Sequence, residues 1–472
     1  MARALEEIHG SDLEPCVDAL GTHYREAEVW EKAHLYLRRA GLNAFWRVAN
    51  REAVAFFEQA LAAVRCLPRS EQTLGATIDV LMDLGGSLSR LDEVHRALDF
   101  LRQADVLARE LNDQRRMGYV ACHLSEFLRP LGAFDEAIEA GTRALTIGSS
   151  LGDFTLEVLS TTSLGKAHLE SGEFRKAREF FVRAISKLSE DGHPARAAER
   201  SPVEALLVSS VQYSRKWNLG IARYFLAHCL SALGEFSEAI ANGRASLQAI
   251  ESTDHPDAFS VILACLAAGM PSYYKGDLLD AIPLLERALL TAQTSDVKAF
   301  IPLSASPLGL AYVLSGRTSE GLSLLEDTVE RLESQQITLY LLTLIYLGQG
   351  YLQVGRLDEA LSVASRAVGA AHTWKARSCE AGALRLLGDI ASHRDPLDVG
   401  TAECHFRDAL NLADQLGLRP TAAHCHLDRG RLYSRIGRLD EARNEIGTAI
   451  ELFREMQMGS WMIQAESALA ET

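Results

Sequence analysis

One short pattern recurs along this chain and limits its fold more than any other feature: a glycine, two residues, two mostly polar residues, then an alanine. It reads Gly132-Ala133-Phe134-Asp135-Glu136-Ala137 and Gly172-Glu173-Phe174-Arg175-Lys176-Ala177. It returns at Gly234 to Ala239, Gly276 to Ala281, Gly316 to Gly321, Gly355 to Ala360 and Gly437 to Ala442. The glycines lie 40, 62, 42, 40, 39 and 82 residues apart. The longest gap is two periods, with a degenerate copy at Asp395 to Ala402. The 62 is one period plus an insertion of about twenty residues. Weaker copies precede these, at Gly85 with Ala97 and at Gly21 with Tyr24 and Ala33.

Each copy has a physical meaning. Glycine closes one helix in a left-handed conformation that a Cβ would penalise. The acidic residues after it suit the positive end of the next helix. The alanine lets two antiparallel helices approach closely. Apolar and small residues around it keep a helical spacing, as in Leu347, Gly348, Tyr351, Gly355, Ala360, Ala364 and Ala367. Leu164, Gly165, His168, Gly172, Ala177, Phe181 and Ala184 repeat that frame. The spacing resembles the tetratricopeptide signature, with a period near 40 in place of 34. The expected fold is therefore all-α, a tetratricopeptide-like solenoid (a right-handed superhelix) of about ten antiparallel helix pairs. Residues 1–68, where Ala33 and Ala53 stand only twenty apart, read as N-terminal capping or junction helices over Glu28–Ala49 and Arg51–Cys66. Residues 69–188 and 217–472 read as repeats, the second stretch ending in a C-terminal cap. Residues 189–216 read as an insertion, either a surface loop or a partner-docking hinge.

A solenoid grows without needing a new core, so 472 residues need not mean three domains. The net charge of −15 weighs against nonspecific nucleic-acid binding, which depends on neutralising phosphates. That charge is uneven: Arg419 to Arg443 holds six arginines against Asp428, Asp440 and Glu441. No apolar leader follows Met1, and the most apolar run, Ala258 to Pro271, falls short of the ~18 residues a membrane span requires. The eight cysteines are scattered without a C-x-x-C pair. They read as buried free thiols of a cytoplasmic protein.

No phosphate-binding loop, dinucleotide fingerprint, zincin motif, nucleophile elbow or kinase signature occurs, so no enzyme activity and no cofactor is expected. His424-Cys425-His426, with Cys404-His405 upstream, offers metal-ligand chemistry. Residues two apart on a helix point ~200° apart, so the two histidines do not converge, and no metal site is expected. Asp358-Glu359 and Asp440-Glu441 sit at helix starts, where capping and the helix dipole explain them.

The tetratricopeptide resemblance implies that the first helix of each pair lines a concave groove, at positions two, five, nine, twelve and thirteen counted with glycine as eight. Those positions give Tyr224, His228, Met270, Tyr273, Tyr274, Leu310, Gln349 and Gln353 centrally. Leu266, Val313 and Leu314 accompany them. Toward the C-terminus they give Arg385, His393, His424, Arg431 and Arg435. The expected groove is aromatic in its centre and basic at its far end. Its side chains either pack against neighbouring repeats or hold an amphipathic or acidic peptide.

Several stretches carry a more specific likeness. They are His23-Tyr24-Arg25-Glu26-Ala27, Leu37-Arg38-Arg39-Ala40-Gly41, Asp254-His255-Pro256, Leu284 to Leu289, Ala383 to Gly388, and Arg419-Pro420 through His424-Cys425-His426-Leu427. Together the chain resembles the C-terminal tetratricopeptide arm of bacterial proteins that join a class III adenylate/guanylate cyclase to an AAA/STAND ATPase. The cyclase aspartates and the ATPase phosphate loop of that family have no counterpart here. The resemblance implies a noncatalytic interaction scaffold or sensor arm in bacterial signalling, with a protein or peptide in the groove. The alternative is a regulatory fragment working with upstream cyclase and ATPase domains in cis or in trans. Neither nucleic acid nor membrane is an expected partner.

Overall fold

The computed structural model describes residues 1–9, 13–47, 49–89, 91, 93–189, 215–254, 256–295, 297–333 and 338–472. Most of the 189–216 insertion, and His255, lie outside the described residues. Among the described residues the regular structure is helical throughout, with no strand. Two compact units are distinguished, one of Met1–Arg129 with Asp135–Leu164, the other of Pro130–Phe134, Gly165–Ser189 and Arg215 to Thr472.

The first unit runs through α1 (Ala2–His9), α2 (Val17–Glu26), α3 (Trp30–Trp46), α4 (Asn50–Arg65), α5 (Glu71–Ser89), α6 (Val94–Leu111), α7 (Gln114–Leu128) and α8 (Phe134–Leu151). Then follow α9 (Phe154–Glu170) and α10 (Phe174–Ser189). The second unit continues with α11 (Arg215–Leu233), α12 (Phe236–Glu251), α13 (Ala258–Lys275), α14 (Leu278–Thr294), α15 (Ile301–Leu314) and α16 (Thr318–Leu332). It ends with α17 (Thr338–Gln353), α18 (Leu357–Thr373), α19 (Arg377–Ser392), α20 (Val399–Leu416), α21 (Arg419–Arg435), α22 (Leu439–Glu455) and α23 (Gly459–Ala470).

One contact builds the pairs. A glycine inside the first helix faces a large side chain sixteen residues later on the second: Gly41 on Phe57, Gly165 on Phe181, Gly309 on Leu325, Gly430 on Ile446. A Cβ at Gly165 would lie 2.6 Å from the Phe181 ring, so only glycine permits this approach. Phe57, Phe181, Leu325 and Ile446 are fully buried. The irregular start obeys the same rule twice. In α3, Leu37 covers Gly21 of α2, and Gly41, one turn further on, receives Phe57 of α4. This double use explains why Ala33 and Ala53 stand half a period apart.

The seven turn glycines of the sequence motif all adopt positive φ, from 72° at Gly132 to 93° at Gly316. Three of the turns share a clamp. Tyr312, Tyr351 and Tyr433 each lie under the arginine that follows the turn, with Arg317 3.5 Å and Arg356 and Arg438 4.2 Å from the ring centres. Each arginine also bonds a glutamate three residues on (Glu320, Glu359, Glu441) and one on the preceding helix (Glu286, Glu326, Glu403). Thus three helices meet at one guanidinium.

Candidate functional site

The second unit closes on itself. Phe174, Cys229 and Leu233 share an apolar cluster with Leu410, Leu416 and Cys425, some two hundred residues later. The Cys229 thiol donates to the Phe174 carbonyl oxygen at 2.8 Å. Turn glycines take part in the closure. A Cβ at Gly276 would lie 2.6 Å from Trp461 Nε1, and one at Gly172 would lie 2.8 Å from Leu416. By contrast, Gly316, Gly355 and Gly437 face open space.

Closure leaves a lumen of about 1190 Å³, lined mainly by the first helices of the pairs: α11, α13, α15, α17, α19 and α21. The last helix, α23, adds Ser460, Trp461, Gln464 and Ser467, and Glu471 follows at its C-cap. The structure brings His228, Tyr273, Tyr274, Leu310, Gln349, Gln353, Arg385, Arg431 and Arg435 together on this one lumen. Tyr224 and Met270 do not line it. They are 9% and 6% exposed within the core behind the wall, beside Leu266 and Val313. The helical turn carries them one step past the lumen face.

One part of the lining is aromatic. Tyr273 stands edge-on to Tyr274 and to Tyr346, with ring centres 5.3 and 5.8 Å apart. The hydroxyls of Tyr274 and Tyr346 lie 3.2 Å apart. Burial raises all three phenols far above their ordinary range, so they stay neutral donors. His228 meets Tyr274 edge-on at 6.0 Å. Burial pulls this imidazole down to about 4, and its Nδ1 is buried without a hydrogen-bond partner.

Another part of the lining is charged. Arg385 Nη1 donates to Asp428 Oδ2 at 2.5 Å, and Arg431 lies 3.9 Å from the other oxygen of that carboxylate. Burial, with Asp389 close by, pushes Asp428 up to about 6 against the pull of Arg385. Arg435 donates to the carbonyl oxygen of Ser392. Asp389 pairs with His393 at 3.4 Å and holds that imidazole above its ordinary value. His424 is driven down, chiefly by burial and then by Arg385 and Arg431. Its ring stands edge-on to Trp461 at 4.4 Å and to Phe453 at 5.1 Å. His426 turns elsewhere, to Glu445 at 2.7 Å, and Cys425 joins the closing cluster. Cys66, in the first unit, is an exposed thiol where the sequence suggested a buried one.

Sequence reasoning missed Tyr346, Asp389, Asp428 and Trp461. Asp428 carried a signal, since it precedes Arg431 by three residues on the same helix. Trp461 carried none, because it reaches the lumen from the terminal helix.

The Tetratricopeptide repeat family profile matches residues 341–366, which spans most of α17 and the start of α18. No curated protein matches the sequence. Among solved structures, the Rap conjugation gene regulator of the plasmid pLS20 in complex with the Phr* peptide is 14% identical, covering 83% of this chain and 97% of that one, with a TM-score of 0.49. The apo form of the quorum sensor NprR from B. thuringiensis is 16% identical, covering 81% and 99%, with a TM-score of 0.47. A STAND protein with a tetratricopeptide repeat sensor from Pyrococcus horikoshii is 13% identical, covering 92% and 70%, with a TM-score of 0.41.

Proposed function

We propose that this chain is a noncatalytic interaction or sensor scaffold that takes a short peptide, or a segment of another protein, into the lumen of its second unit. One observation carries the reading: seven helices turn aromatic, amide and guanidinium side chains onto a single cavity of about 1190 Å³. That exceeds the roughly 300–1,000 Å³ of small-molecule pockets, and its mixed lining suits alternating apolar side chains and backbone amides. His228, Tyr273, Tyr274, Leu310, Gln349, Gln353, Arg385, Arg431 and Arg435 would make the contacts, with Tyr224 and Met270 fixing the wall from behind. The titratable groups of the lumen favour binding over catalysis. Burial keeps His228 and the tyrosines beside it neutral, and Asp428 is tied to Arg385. Among the described residues no cluster of metal ligands occurs, and no helix is long and apolar enough to cross a membrane.

In this reading the protein works in the cytoplasm of a bacterial signalling system, without nucleic acid or membrane as partner. Residues 1–68 would cap the array, 69–188 and 217–472 would form it, and 189–216 would interrupt it. A second reading is a regulatory arm acting with cyclase and ATPase domains in cis or in trans. The stretches around Leu37 to Gly41 and Arg419 to Leu427 favour it by their likeness to such arms.

Gly382 offers a direct test. It lines the lumen, and a Cβ there would touch only Ile345, at 3.6 Å. Gly382→Trp should project an indole into the lumen and obstruct it while α19 keeps its helicity. Peptides selected on the native chain from a randomised octapeptide library should lose at least tenfold in affinity for the variant. Undiminished binding, with an unchanged melting curve, would remove the lumen from the function.

A further inference from the structure

Arginines outside the lumen and inside it live in different company. Arg317, Arg356 and Arg438 each stack on a tyrosine and each meet two carboxylates. The lumen arginines are far less neutralised. Arg385 has Asp428, and Arg431, with its side chain 45% exposed, reaches only the same carboxylate at 3.9 Å. Arg435 meets no carboxylate among the described residues, only the Ser392 carbonyl. Asp389 is engaged with His393, and Glu471 stands exposed at the C-cap of the terminal helix. Arg431 and Arg435 are four residues apart on α21, so their guanidinium groups share one face. Of the three guanidinium groups on the lumen, only that of Arg385 is held close by a carboxylate; Arg431 shares Asp428 at 3.9 Å and Arg435 meets a carbonyl alone, which leaves both with room for a counter-ion.

We propose that Arg431 and Arg435 form a carboxylate-binding site, and that the lumen's occupant is a peptide lying with its acidic group at α21 and apolar side chains against Tyr273, Tyr274 and Tyr346. The proposal rests on the lumen reading above. A guanidinium fork matches a carboxylate in geometry and charge, and such charge-assisted bonds are roughly twice as strong as neutral ones. The carboxylate can come from an aspartate or glutamate side chain or from the peptide's own C-terminus.

The test is selection of the full-length chain against a randomised octapeptide library with free C-termini. Winners are then synthesised in acid, amidated and Glu/Asp→Gln/Asn forms. Acidic winners should lose at least tenfold in affinity when the responsible carboxylate is removed. Loss on amidation marks the C-terminus as the source; loss on amide replacement of side chains marks an acidic residue. R431Q/R435Q should abolish that difference, and R431E/R435E should turn selection toward basic peptides, both with wild-type melting curves. Winners that bind the lumen, lose affinity with Gly382→Trp, and ignore charge on both sides would overturn the carboxylate site but leave the lumen reading intact. Winners indifferent to Gly382→Trp would overturn both.

Discussion

At the scale of single residues, the first unit contains a buried charge network that contrasts with the lumen. Arg38 Nε donates to Asp83 at 2.6 Å and its Nη1 lies 3.5 Å from Asp79. Arg116 grips Asp79 with two nitrogens, at 2.9 and 3.1 Å. Arg38 and both aspartates are nearly sealed from water, yet Arg38 Nη2 and Asp83 Oδ1 remain unpartnered. Burial dominates here and pushes Asp83 from 3.8 up to about 6, although Arg38 pulls the other way. The folded protein therefore holds a proton between roughly pH 4 and 6 that the unfolded chain has released. By linkage, this site's contribution to stability falls as pH rises through that window. Comparing urea denaturation of the native chain and Asp83→Asn from pH 4 to 7 should show the variant missing up to about one proton of that dependence. Parallel curves would exclude Asp83 as the group. Glu6 behaves oppositely. Hydrogen bonds from Tyr24 (2.6 Å), Lys32 (2.9 Å) and Tyr36 (2.7 Å) hold it down at about 2. Its grip on α1 should be complete above about pH 4.5 and fade only as pH falls toward 2. Glu6→Gln should then expose α1 to proteolysis at pH 7, and equal cleavage rates would show that α1 is held by other contacts.

At the scale of elements, the helix pair was legible because its two fixed points are both small residues at fixed spacing. The turn glycine and the alanine five residues on are visible as letters, and all seven turns fall where the motif set them. The repeat at Gly41 was hidden because its second helix begins without a turn glycine, and α3 serves two pairs at once. The tyrosine–arginine clamps were equally hidden, since their second glutamate comes from the preceding pair. The turn glycines also divide into two kinds that the sequence cannot distinguish. Gly276 and Gly316 have φ of 89° and 93°, so alanine at either meets the left-handed penalty of about 1–2 kcal/mol. Only at Gly276 does the new Cβ also run into Trp461. Overpacking of that kind typically adds about 1–3 kcal/mol. Gly276→Ala should thus lower the denaturation midpoint clearly more than Gly316→Ala. Equal losses would mean that α23 is not pressed against the turn.

At the scale of the molecule, each repeat is local but the second unit is not. In an open solenoid, stability is a sum of repeat terms and nearest-neighbour interfaces, and a defect stays near its origin. Here Leu416 of α20 touches Gly172, the turn before α10, and shares a core with Phe174 and Leu233. This is the part of the fold that periodicity could not reveal. The period sets how neighbouring pairs stack, whereas closure depends on the accumulated rotation over about six pairs. It is also what turns a row of expected groove positions into a single lumen, with Tyr224 and Met270 in the wall behind it. Leu416→Ala should cost about 2–5 kcal/mol, toward the lower end because the side chain is 9% exposed. Its effect on amide hydrogen exchange is the sharper measurement. Closure predicts faster exchange in α20 and, at the same time, in α10 and α11, helices some two hundred residues earlier in the chain. Faster exchange limited to α19, α20 and α21 would be the behaviour of an open array, and the lumen would then lack the wall that α10 and α11 give it.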